Sequence, residues 1–425
     1  MRAMRDGGAE KFRLMIVAGE ASGDAHAASL VAALRGAAPE ASFEFFGGTQ
    51  GAMRAAGVES VVGTDELSIT GLVEIASALP RFVAAYRALK RAALARRPDA
   101  VVLVDFPDFN LRLARWLRAR GFRVIYYVSP QLWAWRGYRV RAVRRDVDLL
   151  LALLPFEPAW YAARGFPRVE FVGHPLASEV KPSDGRADFC RRHALDPHRP
   201  VIALLPGSRR KELERILPAM LEAARLVARA SRGAQFVVAL APTRDEEEAA
   251  RVIEKVLKNE REARDRAGVK ERRVSDGDGS ALVLRVVRGE TREALAAADA
   301  AAVASGTATL EAALTETPLV VVYRESALNW HALGSLISVE HYGLVNLVAG
   351  ERVAAELMQY DFTPDALARE LVALLDPATN AQTRAALRAA TARLGDESAS
   401  RRAAEAVLRA LREDESKLGS RKAEG

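Results

Sequence analysis

The sequence predicts an α/β protein of two parallel-sheet domains in tandem. Three observations carry that reading. Short apolar runs alternate with helical patterns, nearly every run stops at polar or turn residues, and the series restarts at Val201. Leu14–Val17 reads as the first strand, and a helix follows over about 25–35. Phe43–Phe46 is the second, ending at Gly47-Gly48. Ala100–Val104 is closed by Asp105-Phe106-Pro107-Asp108, and Val124–Val128 by Ser129-Pro130. Leu149–Leu153 and Val169–Val172 complete the front series. From Val201–Leu205 the scheme repeats through Phe236–Leu240, Ala281–Val287, Ala300–Ala304 and Leu319–Tyr323. The Pro-containing stretch 175–200 reads as a linker, 245–280 as a charged helix and loop, and the Ala-, Arg- and Leu-rich end as helices with a disordered tail. The expected domains are 1–177, 178–380 and a helical segment at 381–425.

In open parallel sheets the carboxyl ends of the strands line one edge, where ligands bind. Two such sheets in tandem are expected to face each other across a cleft.

Composition narrows the class. At 425 residues and 50% hydrophobic the chain can bury large cores. Its apolar runs, such as 148–156, fall short of the roughly 20 residues a membrane span requires. Residues 1–11 hold no apolar segment, so no secretory signal is expected. The single cysteine, Cys190, fits a reducing cytoplasm. Six scattered histidines show no ligand spacing, so neither metal nor cofactor is expected. Net charge is +7, and all of the excess lies in front: residues 1–175 hold 24 Lys+Arg against 17 Asp+Glu, the remainder 38 against 38. Arg136, Arg139, Arg141, Arg144 and Arg145 fit either a solvated helix face or an anionic partner, a phosphorylated substrate or an acidic membrane.

Four features carry chemistry. Pro206-Gly207-Ser208-Arg209-Arg210 is a Gly turn between an apolar strand and a helix N-terminus, a layout that favours an anion. Ser305-Gly306-Thr307 opens a second helix on the same edge, so the pair suits a diphosphate. Arg209 could hold a leaving group through charge-assisted hydrogen bonds of about 1.5–3 kcal/mol each. Glu311, one turn on, is either a ribose ligand or an ordinary exposed glutamate. In front, Gly19-Glu20-Ala21-Ser22-Gly23-Asp24 lacks dinucleotide spacing, and its two acids would repel phosphate, which points to a sugar or hydroxyl. Asp105, first after an apolar strand, is placed as a general base. Asp108 and Asn110 read as helix caps, and His26 and His174 rival Asp105. Finally, Ile69, Leu72, Val73, Leu79, Phe82 and Val83 recur at helical spacing beside Arg81, Arg87, Lys90 and Arg91. Core packing and a membrane- or acyl-binding face both fit.

Taken together and in order, several motifs resemble the lipid-A-disaccharide synthase family, bacterial glycosyltransferases of the GT-B fold. They are Val17–Asp24, Asp105–Asn110, Tyr127–Arg136, Leu153–Glu157, Val172–Pro175, Leu204–Arg209, Ala304–Glu311 and Asn346–Gly350. The resemblance implies a GT-B-like fold of two Rossmann-like domains with C-terminal helices. It implies inverting transfer from UDP-2,3-diacylglucosamine to 2,3-diacylglucosamine 1-phosphate, giving a β-1,6-linked disaccharide and UDP. Asp105 would be the base. Gly207, Ser208, Arg209, Ser305, Gly306 and Thr307 would hold the diphosphate, Glu311 the ribose, and Glu20, Ser22 and Asn346 the sugars. The apolar helix face then implies lipid contact at the cytoplasmic face of the inner membrane, and a homodimer is compatible with it. Segment 245–290 exceeds the family length, while Thr70 and Ser77 make the lipid-facing helix more polar than the family pattern. Rival readings are another UDP-sugar transferase or epimerase, a nucleic-acid binder, which has no recognised module here, and a dehydrogenase, whose fingerprint is missing.

Overall fold

A computed structural model of the chain describes residues 10–65, 72–266, 282–326, 340–396 and 398–423. The chain divides into two compact units, one running to Pro175 and resuming at Gly395, the other Leu176–Leu394.

Unit 1 holds seven strands: β1 (Lys11–Ala18), β2 (Ser42–Thr49), β3 (Glu59–Gly63), β4 (Ala100–Val104), β5 (Val124–Tyr127), β6 (Leu149–Ala152) and β7 (Val169–Phe171). They pair in parallel in the order β3-β2-β1-β4-β5-β6-β7. Helices α1 (Ala21–Ala37), α2 (Gly51–Ala55), α3 (Leu72–Arg96) and α4 (Pro107–Arg118) connect the first five strands. Central strands β1 and β4 are apolar on both faces because helices cover both, and a core lies on each side of the sheet.

Unit 2 repeats the plan with β8 (Val201–Leu205), β9 (Gln235–Leu240), β10 (Val283–Arg288), β11 (Ala300–Ala304), β12 (Leu319–Tyr323) and β13 (Ala355–Met358), ordered β10-β9-β8-β11-β12-β13, again parallel. The two-domain α/β class read from the sequence is therefore the observed one. The two strands missing from that reading, β3 and β13, are both sheet edges. An edge strand is short and only part-buried, so it lacks the continuous apolar run that marks a central strand.

Two expected boundaries change. The stretch read as a linker folds into helices at Leu176–Glu179 and Arg186–Arg192. Phe189 and Cys190 from the second sit in the core of unit 2. The segment expected as a third domain divides at Leu394 instead. The helix Pro377–Thr391 belongs to unit 2, while the helix Ala399–Ala423 returns to unit 1 and stands where a disordered tail was expected. Ala403, Ala404, Val407, Leu408 and Leu411 pack there with Ala27, Leu30, Val31 and Leu34 of α1. Arg402 Nε donates to Val172 O at 2.8 Å, and Arg412 pairs with Glu10 at 2.7 Å. The charged helix is observed at Glu246–Arg266, and the Asp-Gly loop after it lies outside the described residues. Among the described residues no helix is long and apolar enough to cross a membrane.

Candidate functional site

Each sheet reverses its strand order once, between β1 and β4 in unit 1 and between β8 and β11 in unit 2. Such a switch point opens a crevice at the strand ends. In unit 1, Ala18 lies opposite Val104, so Gly19-Glu20 and Asp105-Phe106 leave the sheet side by side. In unit 2, Leu205 lies opposite Val303, so the Pro206–Arg209 and Ser305–Thr307 turns leave together. Topology thus gathers most of the residues singled out in the sequence at two switch points, one per unit.

At the first, Asp105 and Phe106 are consecutive left-handed residues, φ 48° and 52°. Both main-chain groups of Asp105 are held: its N–H donates to Tyr127 O at 3.0 Å, and its carbonyl accepts from Tyr126 Oη at 2.6 Å and Asn110 Nδ2 at 2.8 Å. Phe106 lies over Gly19 so closely that a Cβ there would meet the ring at 2.3 Å, which requires glycine. Burial, then the charge of Glu20, raises the Asp105 carboxyl to about 6, against an opposing effect from the Phe106 N–H. A carboxyl so poised is a competent base near neutral pH. Its rival His174 is pushed down to about 4 by burial and by His26, which makes it the weaker base. His26 lies edge-on to the Tyr127 ring.

The other front residues separate by role. Glu20 and Ser22 are exposed at the start of α1. Asp24 is buried and accepts from the N–H groups of Gln50, Ala52 and Met53 at 2.6–3.1 Å, capping α2. Asp108 pairs with Arg136 and Arg139 instead of capping α4, so part of the arginine cluster is neutralised. Asn110 is buried among main-chain carbonyls. Nearby, buried Glu157 is raised to about 7 by desolvation. It accepts from Trp133 Nε1 and Leu154 N, both at 3.1 Å, and ties down the 129–136 loop.

At the second switch point the Gly207 turn has φ +110° and an occupant the sequence reading missed. Glu212 folds back so that its Oε2 accepts from the N–H groups of Ser208 (3.0 Å) and Arg209 (3.1 Å). A Cβ on Gly207 would meet that carboxylate at 2.4 Å. The expectation that these N–H groups meet phosphate is therefore corrected: an internal carboxylate takes them. The signal was present, because a glutamate three residues after a helix cap is the capping-box spacing. Arg209 keeps its side chain 71% exposed, with a 3.5 Å contact to Glu212. Ser305 Oγ donates to Tyr342 O at 2.8 Å, and Thr307 precedes the helix Ala308–Leu314. Glu311 is neither exposed nor unpaired: Arg292 Nε reaches it at 3.2 Å.

Asn346 is held by its own neighbours. It is 0% exposed, and its amide is fully used: Oδ1 accepts from Val353 N and Ala354 N, and Nδ2 donates to Ala354 O and Glu356, all at 2.8–3.0 Å. It anchors the loop before β13.

On α3, Leu79 is 58% and Val83 39% exposed, whereas Phe82 stacks on Phe106 at 6.2 Å. Ile69 lies outside the described residues, as do the side chains of Leu72 and Val73.

Residues 14–410 match the family model described as lipid-A-disaccharide synthetase. A lipid-A-disaccharide synthase from Myxococcus xanthus is 42% identical over 400 residues, covering 94% of this chain and 97% of its own. One from Trichlorobacter lovleyi is 41% identical over 397 residues, covering 93% and 97%. The chain belongs to the lipid-A-disaccharide synthase family. It is accordingly a glycosyltransferase of lipid A biosynthesis. The family's GT-B architecture agrees with the solved structures it resembles. A putative UDP-N-acetylglucosamine 2-epimerase from Listeria monocytogenes superposes with TM-score 0.60 at 15% identity, covering 95% and 97% of the two chains. The calicheamicin glycosyltransferase CalG4 gives 0.51 at 16%, covering 97% and 99%. At such identities the likeness is one of fold.

Proposed function

We propose that the chain transfers the glucosaminyl group of UDP-2,3-diacylglucosamine to the 6-hydroxyl of 2,3-diacylglucosamine 1-phosphate with inversion. The products are the β-1,6-linked disaccharide 1-phosphate and UDP. The observation that carries the reading is Asp105, a carboxyl raised to about 6 beside Glu20 at a switch point in a chain of this family. Asp105 takes the proton of the acceptor 6-hydroxyl while that oxygen bonds to the anomeric carbon. The bond to the UDP oxygen breaks on the opposite face, and UDP keeps its electron pair. Glu20, whose charge reaches Asp105, and Ser22, both exposed at the start of α1, contact the sugar.

With the Ser208 and Arg209 N–H groups held by Glu212, the donor diphosphate binds at the unit 2 switch point through the exposed Arg209 guanidinium, the Ser208 hydroxyl, the open Gly207 turn and the Ser305-Gly306-Thr307 turn. Glu311 takes the ribose. A Neisseria meningitidis epimerase of similar fold is bound to UDP-GlcNAc and an Anabaena protein to UDP-glucose, which supports a UDP-sugar here. Arg209 offsets the charge developing on the leaving group, the kind of electrostatic help that dominates many transfers. Exposed Leu79 and Val83 on α3, beside Arg81 and Arg87, are proposed to touch the acyl chains or the membrane surface.

The test is a transfer assay with purified protein. Formation of disaccharide from the diacylated pair, with little product from non-acylated analogues, is expected. Turnover of another UDP-sugar while the diacylated pair is ignored would sink the reading.

A further inference from the structure

Asp105 and Phe106 form a left-handed pair without a glycine, a conformation that L-residues avoid unless their surroundings impose it. Two side chains converge on the same atom to impose it. Tyr126 Oη, from the fully buried end of β5, donates to Asp105 O at 2.6 Å. Asn110 Nδ2, from the first turn of α4, donates to the same oxygen at 2.8 Å and to Val104 O at 3.2 Å. The Asn110 Oδ1 is buried with no hydrogen-bond partner among the described residues, so this amide is placed for its donors alone. Tyr126 is held well above its ordinary phenol range by burial, then by the charge of Asp105, and so remains a donor at any working pH. With its N–H and carbonyl both fixed, Asp105 keeps only its carboxylate for a substrate.

We infer that Tyr126 and Asn110 are positioning residues for the transfer, fixing through the Asp105 carbonyl the direction in which its carboxylate meets the acceptor hydroxyl. Neither touches the reacting atoms. The inference deepens the reading of Asp105 as the base and rests on it. Misaligning a base by about an ångström costs on the order of 100-fold in rate, so the clamp governs kcat more than substrate affinity.

The test is a double-mutant cycle of Tyr126→Phe and Asp105→Asn, measuring kcat, both KM values and Tm. Tyr126→Phe keeps the buried ring and removes one hydroxyl. Its kcat should fall roughly 10- to 100-fold, with both KM values within about twofold and Tm nearly unchanged. In the Asp105→Asn background the same change should cost nothing further, because the hydroxyl acts only through that base. Wild-type kcat for Tyr126→Phe overturns the clamp while leaving the base reading intact. An equal loss in both backgrounds, or a loss that tracks a lowered Tm, overturns it in favour of a general structural role. Full activity of Asp105→Asn overturns both readings. Asn110→Leu, which removes the second donor, repeats the cycle independently.

Discussion

Asp105, the proposed base, sets a structural cost against its proposed chemical use. Burial raises its folded pKa to about 6 from 3.8, so the folded state binds its proton more tightly than the unfolded chain does. Stability at this site is therefore greatest below about pH 4 and falls as pH rises through about 6. Asp105→Asn should stabilise the fold by up to about 3 kcal/mol near pH 8 and by little near pH 4, in denaturant titrations at the two pH values. A second expectation concerns Glu20, whose charge helps hold that pKa up. Glu20→Gln should move the acid limb of the kcat/KM profile to lower pH, and an unmoved limb would show that Glu20 does not face the base. Asp105 was legible in the sequence because it follows five apolar strand residues. Its clamp was not, since nothing in Asp-Phe-Pro-Asp marks two left-handed residues, and Tyr126 reads as one more apolar strand position. The burial of Asn346 was not legible for a related reason: its partner Glu356 lies ten residues on, in an edge strand the pattern did not reveal.

Single elements carry their own expectations. The helix Ala399–Ala423 buries an apolar stripe on α1, and its sequence alone, rich in Ala and Arg, gave no address for that stripe. Leu408→Ala should cost about 2–3 kcal/mol of stability, read as a lower midpoint in urea with unchanged slope. For α3, Leu79 and Val83 are exposed while Ala85, Leu89 and Ala93 are buried, so one helix carries a core face and a free apolar end. Periodicity finds such a helix but cannot say which of its turns leave the core. Replacing Leu79 and Val83 by Ser should weaken sedimentation with anionic vesicles while leaving Tm unchanged. Equal binding would remove these residues from the membrane proposal.

The whole molecule is two copies of one plan, with the second continuous in sequence and the first closed by the chain's end. The strand series and its restart at Val201 made that plan readable, because central strands buried on both faces leave unbroken apolar runs. The return of the last helix to unit 1 was not readable, since the contact joins residues nearly 400 apart. Residues 176–394 should accordingly fold alone and bind UDP, seen by calorimetry, whereas a chain ending at Leu394 should expose α1 and lose stability.

The central claim is that Asp105 supplies the base while unit 2 holds the nucleotide, and Asp105→Asn tests it most directly when turnover of the diacylated pair and UDP affinity are measured on the same preparation. Loss of about 100-fold or more in kcat, with the UDP dissociation constant within roughly twofold of wild type, is the predicted result. Near-normal turnover, or a parallel loss of UDP binding, would contradict it.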